Sequence, residues 1–567
     1  MPASGSAEGG MVLGRSSSWA AQGTESGTNP EPVSSIISPL LTDMYQITMC
    51  YGYWKSGRHE VPAAFDMFFR TAPFGGGYCI FAGLSQVLAF INTYKITSGH
   101  IGYLKHQMPF ADEGFFEYLA GLDCSKVKIL AFAEGSVVFP REPLLRIEGP
   151  IGICQLLETT LLCAVNYASL VATNAARMRV AVGPSTKLLE MGLRRAQGTD
   201  GGLSASRYSY IGGFDGSSNV LAGYLFGITV SGTHAHSFVQ SFTSFADLPR
   251  KSIALPDGGV CEDFVGLVQS HKAKLGFHTT NEGELTAYVA YCQAFPSSFL
   301  ALVDTYDTMA SGVPNFLACA VAMMELGYKP IGIRLDSGDL AYYSREARRM
   351  FRDVEGKYGF EGFAKSMQIV ASNDIDEDVL YELGDKGHEI DTFGIGTRLV
   401  TCQAQPALGC VYKLVEMDGK ARIKLSQDMV KISIPARKRV FRLYGGPEGL
   451  AMTDIMLAEE EVLRDGPPKA GKELVCRHIL EPTKQDKVTP TKVEEMLGCV
   501  WDGKLLAPIP TVNEVREHAA KSLRDHDAKV MSRADCVKYP VALSDNLFNI
   551  MHTLWAAEKP AVDKGGA

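Results

Sequence analysis

Three things are missing from this 567-residue sequence: a basic block, a long apolar run, and cysteines at metal- or redox-binding spacing. Lys+Arg number 55 against 63 Asp+Glu, a formal net charge of −8 with no clustered cations. General binding to nucleic acid or to an anionic membrane surface needs such clusters to meet phosphate, so an anionic ligand would have to be met locally. A membrane helix needs about 20 apolar residues in a row. The longest uncharged candidate, Thr159 to Ala176, carries Asn166, Ser169, Thr173 and Asn174 and reads as a buried helix. The 13 cysteines nowhere form Cys-x-x-Cys. They read as reduced, mostly buried thiols of a cytoplasmic protein, not as a disulfide framework or a zinc site. A basic n-region followed by an apolar h-region is also lacking, which argues against secretion.

Glycine, by contrast, is abundant: 57 residues, about a tenth of the chain where ~7% is usual. Part of it lies in residues 1–33, which are rich in Gly, Ser, Ala and Pro and are expected to form a disordered tail. A transit peptide fits poorly there, since Arg15 stands alone against Glu8, Glu25 and Glu31. Beyond the tail the pattern suggests an N-terminal α/β domain over 34–178, an α/β barrel domain with the active site over 179–410, and a C-terminal segment over 411–567 packing back on the first. Leu40 to Ser56 is helical in pattern, Ala63 to Arg70 alternates like a strand, and Phe74 to Gly77 is a turn. Four apolar runs then end in polar residues at the pitch of successive β-α units: Phe299 to Asp304, Pro330 to Asp336, Gln368 to Asn373 and Asp391 to Gly396. They predict a buried parallel sheet or barrel whose working end is the carboxyl ends of its strands. Pro314 and Gly327 bracket a helix from Asn315 to Leu326. Val411 to Leu425 reads as a hairpin turning at Asp418-Gly419.

Chemistry-bearing residues concentrate at those strand ends. In Gly332-Ile-Arg334-Leu-Asp336-Ser337-Gly338-Asp339-Leu340, an Arg and two carboxylates offer groups for an anion, ribose hydroxyls and a divalent cation. The bland reading is a capping turn, with Asp336 or Ser337 as N-cap and Arg334 in a structural ion pair. Phe393-Gly394-Ile-Gly396-Thr397 offers amides and a hydroxyl to a phosphate, though a tight turn uses the same letters; Ser372-Asn373-Asp374, closing the strand before it, could join that site or form an Asn-Asp turn. In Gly232-Thr233-His234-Ala235-His236-Ser237 the two imidazoles would share a face of a strand, as in metal sites, unless one is a core histidine. Ser204 to Asn219, dense in Gly and hydroxyls, reads as a loop or ligand wall. Read alone, the adjacent cations Arg194-Arg195 and the helix-opening Leu41-Thr-Asp43-Met-Tyr45-Gln46, with Thr or Asp as cap, are structural.

Together and in order, Leu41–Gln46, Phe68–Gly76, Glu190–Gly198, Gly232–Phe238, Arg334–Asp339 and Gly394–Thr397 resemble the nicotinate phosphoribosyltransferase family, over Leu40 to at least Lys438. The resemblance implies a type II phosphoribosyltransferase fold: an irregular TIM-like α/β barrel plus an α/β domain built from N- and C-terminal segments. It implies that nicotinate attacks C1 of phosphoribosyl pyrophosphate to give nicotinate mononucleotide, coupled to ATP hydrolysis, as the entry step from nicotinate to NAD. A magnesium or manganese ion, ATP as co-substrate and a homodimer with shared active sites come with it. By position, His236 would be phosphorylated, Arg334 would face nicotinate, and Tyr45 would stack on the pyridine from across the dimer, near Thr233. Asp336 and Asp339 would serve ribose hydroxyls and metal. Asn373, Gly394, Gly396 and Thr397 would hold phosphoribosyl pyrophosphate, with Arg194 neutralising its phosphates. Asn219 would stand by the pyridine substituent, where an uncharged amide tolerates a carboxylate. His234 departs from the apolar residue usual in the family. Two other readings are a nicotinamide-using relative, which predicts a carboxylate near position 219, and a barrel metal-dependent hydrolase built on His234 and His236.

Overall fold

The computed structural model describes residues 37–425, 432–533 and 536–558; the tail expected to be disordered lies outside the described residues. Among these, no helix is long and apolar enough to cross a membrane. All 13 cysteines are free thiols, and most are buried. The chain forms two compact units, one of Arg177–Tyr210 and Phe214–Thr401, the other of the described residues of Gly23–Ala176, Ile211–Gly213 and Cys402–Ala567.

The first unit runs β1 (Lys187–Glu190), α1 (Gly198–Ile211), β2 (Gly216–Ser217), α2 (Val220–Phe226), α3 (His236–Gln240), β3 (Leu300–Leu302), α4 (Val313–Glu325), β4 (Gly332–Leu335), α5 (Leu340–Tyr358), β5 (Gln368–Ser372), β6 (Thr392–Ile395) and α6 (Thr397–Val400), with further helices between. Its strands form one sheet in the order β3-β4-β5-β6-β1-β2. Every neighbouring pair is parallel. The four apolar runs of the sequence are therefore β3 to β6, side by side and in order, because each helical crossover returns the chain in the same direction. Both faces of these strands are covered, which is why they read as near-continuous apolar runs. At Gly332 a Cβ would stand 1.9 Å from the carbonyl oxygen of Gln368, so β4 and β5 approach as they do only through glycine. Pro314 lies in the first turn of α4, whose residues Val313 to Met323 are all buried. Gly327, with φ 84°, follows its end.

β3 is an edge strand. Leu302 donates its N–H to His234 Nε2 at 3.3 Å and accepts the Tyr288 hydroxyl at 2.7 Å, so two side chains satisfy the polar groups an edge leaves open. His234 follows Val230, which adds a parallel bridge beyond β2; the bond thus draws the two ends of the sheet together into a curled barrel. One expectation needs correcting here. The stretch from Ser204 to Asn219 is not a loop, since α1 occupies it as far as Ile211. Its Gly and Ser residues are poor helix formers, but Leu203, Ala205, Ser206, Tyr208 and Ser209 are buried, and packing overrides propensity.

The second unit interleaves the two ends of the chain. Pro62–Phe68 pairs antiparallel with Leu145–Pro150 and with Val411–Met417, and Gly498–Asp502 pairs with Lys128–Ala131. Helix Met44–Lys55 starts at Asp43, whose N–H is accepted by the Gln46 side chain at 3.1 Å. The hairpin turns at Asp418 and Gly419, with φ 52° and 66°, the two left-handed positions of a type I′ turn. In helix Glu158–Val182 the polar residues of the uncharged run have internal partners: Thr173 accepts the Ile80 N–H at 2.8 Å and Ser169 that of Ala82 at 2.9 Å. This unit also buries ion pairs. Lys438 Nζ lies 2.6 Å from Asp66, and Arg442 lies 2.7 Å from Asp454.

Candidate active site

The carboxyl ends of β3, β4 and β5 hold one polar cluster. Arg334 Nε donates to Ser372 Oγ at 3.0 Å, and its Nη2 lies 3.3 Å from Asp336 Oδ1, which the Ser372 hydroxyl also reaches. Asp304, at the end of β3, accepts the Asp336 N–H at 3.1 Å and the Ser337 hydroxyl at 2.6 Å through Oδ2. Its Oδ1 is buried without a partner. Gly338 has φ +74°, and a Cβ there would meet the Tyr343 ring at 2.4 Å, so the turn requires glycine. The helix cap expected at Asp336 or Ser337 falls instead on Asp339, whose Oδ1 accepts the Tyr342 N–H at 3.0 Å. Asp336 is thereby left to Arg334 and Ser372.

The two histidines have different surroundings. His236 opens α3, with Nδ1 3.1 Å from Thr305 Oγ1 and Nε2 3.8 Å from Asp336 Oδ2. His234 accepts the Leu302 N–H and packs edge-on against Tyr291 at 4.8 Å. Burial lowers its pKa from 6.5 to about 4, which keeps the imidazole a neutral acceptor. The shared strand face expected for the pair does not form, because residues 231–235 are irregular and a helix begins at 236. Nor do three His, Cys, Asp or Glu side chains gather as metal ligands among the described residues. The hydrolase reading built on His234 and His236 therefore lacks its ligand set.

Further along the sheet, Gly394 and Gly396 end β6 against Met191, whose sulfur would lie 2.6 Å from a Cβ on Gly394, and Thr397 begins α6. At the end of β5, Asn373 and Asp374 have φ 128° and 47°. Two successive non-glycine residues in that region are strained, as backbone at ligand-binding positions often is. Arg194 sits exposed in the short turn Leu193–Arg195 and forms no ion pair among the described residues. Asn219 is buried and caps α2: its Oδ1 accepts the N–H groups of Leu221 and Ala222 at 3.1 and 3.3 Å, while Nδ2 donates to Ser206 at 3.0 Å. Expected beside the pyridine substituent, this amide is committed at both ends to the fold. Thr233 is half-buried, and its hydroxyl oxygen has no partner.

In the second unit, Tyr45 is exposed on the first turn of its helix with Leu41, Met44 and Met49. Partial burial and the nearby Glu158 carboxylate push its phenol up to about 12. The same unit gathers Arg70, Lys413 and Lys424: burial lowers the pKa of Lys413, the two other cations add to the shift, and Glu158 opposes it. Sequence reading missed this cluster because Arg70 lies more than 300 residues from Lys413 and Lys424. It also missed Asp304 and Thr305, although Asp304 ends an apolar run that reads as a strand; Ser372, expected beside a phosphate, is instead bonded to Arg334 and Asp336.

Comparison with known proteins gives one answer along the chain. Family models described as the nicotinate phosphoribosyltransferase (NAPRTase) N-terminal domain, the NAPRTase family and the nicotinate phosphoribosyltransferase C-terminal domain match residues 40–166, 186–438 and 437–551. A nicotinate phosphoribosyltransferase from Dictyostelium discoideum is 48% identical over 540 residues, covering 94% of this chain and 91% of its own. Nicotinate phosphoribosyltransferase 2 of Arabidopsis thaliana is 49% identical over 541 residues, covering 93% and 96%. The crystal structure of human nicotinic acid phosphoribosyltransferase matches with TM-score 0.80 at 41% identity, covering 90% of this chain and 99% of that one. A nicotinate-nucleotide pyrophosphorylase from Pyrococcus furiosus shares the fold alone, with TM-score 0.54 at 19% identity over 86% of this chain and 95% of its own.

Proposed function

The chain belongs to the nicotinate phosphoribosyltransferase family, and from that premise we propose that the carboxyl end of its parallel sheet joins nicotinate to C1 of phosphoribosyl pyrophosphate, with ATP coupled through His236. The observation that carries the proposal is the run Arg334–Asp336–His236: a guanidinium, a carboxylate and an imidazole on neighbouring elements, each within 4 Å of the next. Arg334, oriented by Ser372, meets the planar nicotinate carboxylate or ring, for which a planar cation is suited. His236 takes the phosphoryl group of ATP; the Thr305 hydroxyl holds one ring nitrogen, and the other faces Asp336. Asp336 and Asp339 serve the ribose hydroxyls, while Asn373, Gly394, Gly396, Thr397 and Arg194 take the phosphates. Asn219 contributes by shaping the start of α2.

A magnesium or manganese ion fits this donor set, because such ions are commonly held by one or two carboxylates plus substrate phosphates and need no protein cage. Asp336 and Asp339 would hold it, and the unpartnered Oδ1 of Asp304 adds a nearby acceptor. When bound, the ion neutralises charge on the departing pyrophosphate. The remaining work is positioning and charge stabilisation at C1 as pyrophosphate leaves. The exposed Leu41, Met44, Tyr45 and Met49 support a homodimer in which a second copy covers this patch and Tyr45 stacks on the partner's nicotinate. The free thiols fit a cytoplasmic protein.

The test is turnover of nicotinate and of nicotinamide by the purified protein with phosphoribosyl pyrophosphate, each with and without ATP. Nicotinate turnover stimulated by ATP is expected; turnover of nicotinamide with none of nicotinate would overturn the assignment.

A further inference from the structure

At the end of β1 one carboxylate is fully buried and meets no cation among the described residues. Glu190 is 1% exposed. Its Oε1 accepts the Gly192 N–H, and its Oε2 accepts the hydroxyls of Ser206 at 2.8 Å and Ser217 at 2.5 Å. A buried charge without a counter-ion is costly unless several hydrogen bonds replace its water, and here three neutral donors from β1's own turn, α1 and β2 do so. The backbone repeats the clamp, since the Glu190 carbonyl accepts the Ser218 N–H at 2.8 Å and the Arg195 N–H closes the turn on the Gly192 carbonyl at 2.8 Å.

What this anchor holds is the turn Leu193–Arg195, which starts directly after Gly192 and is exposed throughout. Gly192 leaves little freedom of its own, because a Cβ there would lie 2.3 Å from Val400 and 2.9 Å from the Gly396 carbonyl. We infer that Glu190 is a positioning residue: it fixes the turn that presents Arg194, so that the guanidinium is aimed at substrate phosphate before substrate arrives. The inference rests on the phosphate-binding role of Arg194 proposed above.

Proton positions make the anchor specific for a carboxylate. A carboxylate only accepts, so the Ser217 hydroxyl must point its proton at Glu190 and its lone pair at the Asn219 N–H, which it accepts at 2.9 Å. Glutamine at 190, keeping its carbonyl on the Gly192 N–H, turns its NH2 toward Ser217 and leaves that hydroxyl proton without an acceptor. A change of one atom type therefore loosens the anchor while leaving volume and packing alone.

The experiment is a kinetic double-mutant cycle on the full-length enzyme with Glu190→Gln and Arg194→Ala, varying phosphoribosyl pyrophosphate at saturating nicotinate. Each single variant is expected to raise KM for phosphoribosyl pyrophosphate about tenfold, with kcat within about threefold and KM for nicotinate unchanged. The double variant is expected to be no worse than Arg194→Ala, because Glu190 acts through Arg194. Ser217→Ala, which removes one donor and keeps the carboxylate, should move the same KM in the same direction by about threefold. Two results overturn the inference with the phosphate role of Arg194 intact: Arg194→Ala raising KM while Glu190→Gln does not, or fully multiplicative effects in the double variant. If Arg194→Ala itself leaves KM unchanged, the role of Arg194 falls, and the inference about Glu190 with it.

Discussion

Opposite charges meet in both units, but on different terms. In the second unit Lys438 and Asp66 stand 2.6 Å apart and Arg442 and Asp454 2.7 Å apart, with side chains at most 2% exposed. The cations' remaining donors are largely filled: Lys438 donates to the carbonyls of Ile434 and Ala436, and Arg442 to that of Val137, while Tyr539 donates to Asp454 and Asp66 Oδ1 is buried without a partner. At the strand ends of the first unit, Arg334 and Asp336 are 3.3 Å apart and His236 and Asp336 3.8 Å apart, with side-chain exposures from 16% to 41%. A dry pair cannot exchange a partner for a ligand, because each lost bond leaves a buried charge. A loose, half-open pair can, since water or substrate takes up what it releases. Burial of the pair, more than the presence of charge, separates the residues that hold this protein together from those that act.

The largest contrast should come from Lys438→Met. Removing one member of a buried pair strands the Asp66 carboxylate and should cost about 3–5 kcal/mol of stability, read from the midpoint of chemical denaturation, with KM for nicotinate unchanged in the folded protein. On the open side, His236→Ala should do the reverse. ATP stimulation disappears while uncoupled transfer persists, a loss of about 100-fold, or ~2.7 kcal/mol, in ATP-stimulated kcat/KM, with Tm little altered. If ATP stimulation survives in that variant, the phosphohistidine role is wrong.

A pH titration separates the two kinds of site next. His526, buried in the second unit, donates through Nδ1 to the Ser522 carbonyl at 2.7 Å, and burial lowers its pKa to about 4. Because that is below the unfolded value of 6.5, the unfolded chain binds the proton more readily between these limits, and stability falls as pH falls through them. From pH 7 to pH 5 the loss from this residue should be about 2 kcal/mol, and His526→Gln should flatten that part of the curve; an unchanged slope would place the acid sensitivity elsewhere. The smallest effect is expected from Arg334→Lys. It keeps the charge but loses the fork that spans Ser372 and Asp336, and should raise KM for nicotinate about tenfold, or ~1.4 kcal/mol. A change in Tm without a change in KM would move Arg334 to the structural class.

Strand order was legible where local pattern and tertiary role coincide. Runs ending at Asp304, Asp336, Asn373 and Gly396 are apolar because both sheet faces are covered, and their spacing reflects a helix between each pair. β1 and β2 were not legible as part of that sheet. They are short, and the helix between them carries the Gly and Ser content of a loop while folding through burial. The site was legible as a set of motifs, but not as contacts. Nothing local says that Asp304 braces Ser337, or that the amide of Asn219 is taken up by Ser206 and a helix start. The His-x-His spacing misled for the same reason: spacing describes a strand, and whether Gly232 to Ala235 forms one is decided by Leu302, far along the chain.

The bond between Leu302 and His234 has a consequence for how the protein fares in acid. One neutral imidazole holds the buried amide at the margin of the sheet and so ties that margin to the segment beyond β2. Protonation removes that acceptor while the sheet behind it is still intact. Acid should therefore open this closure before it melts the helices, and near-ultraviolet dichroism should fall ahead of any loss of helical dichroism.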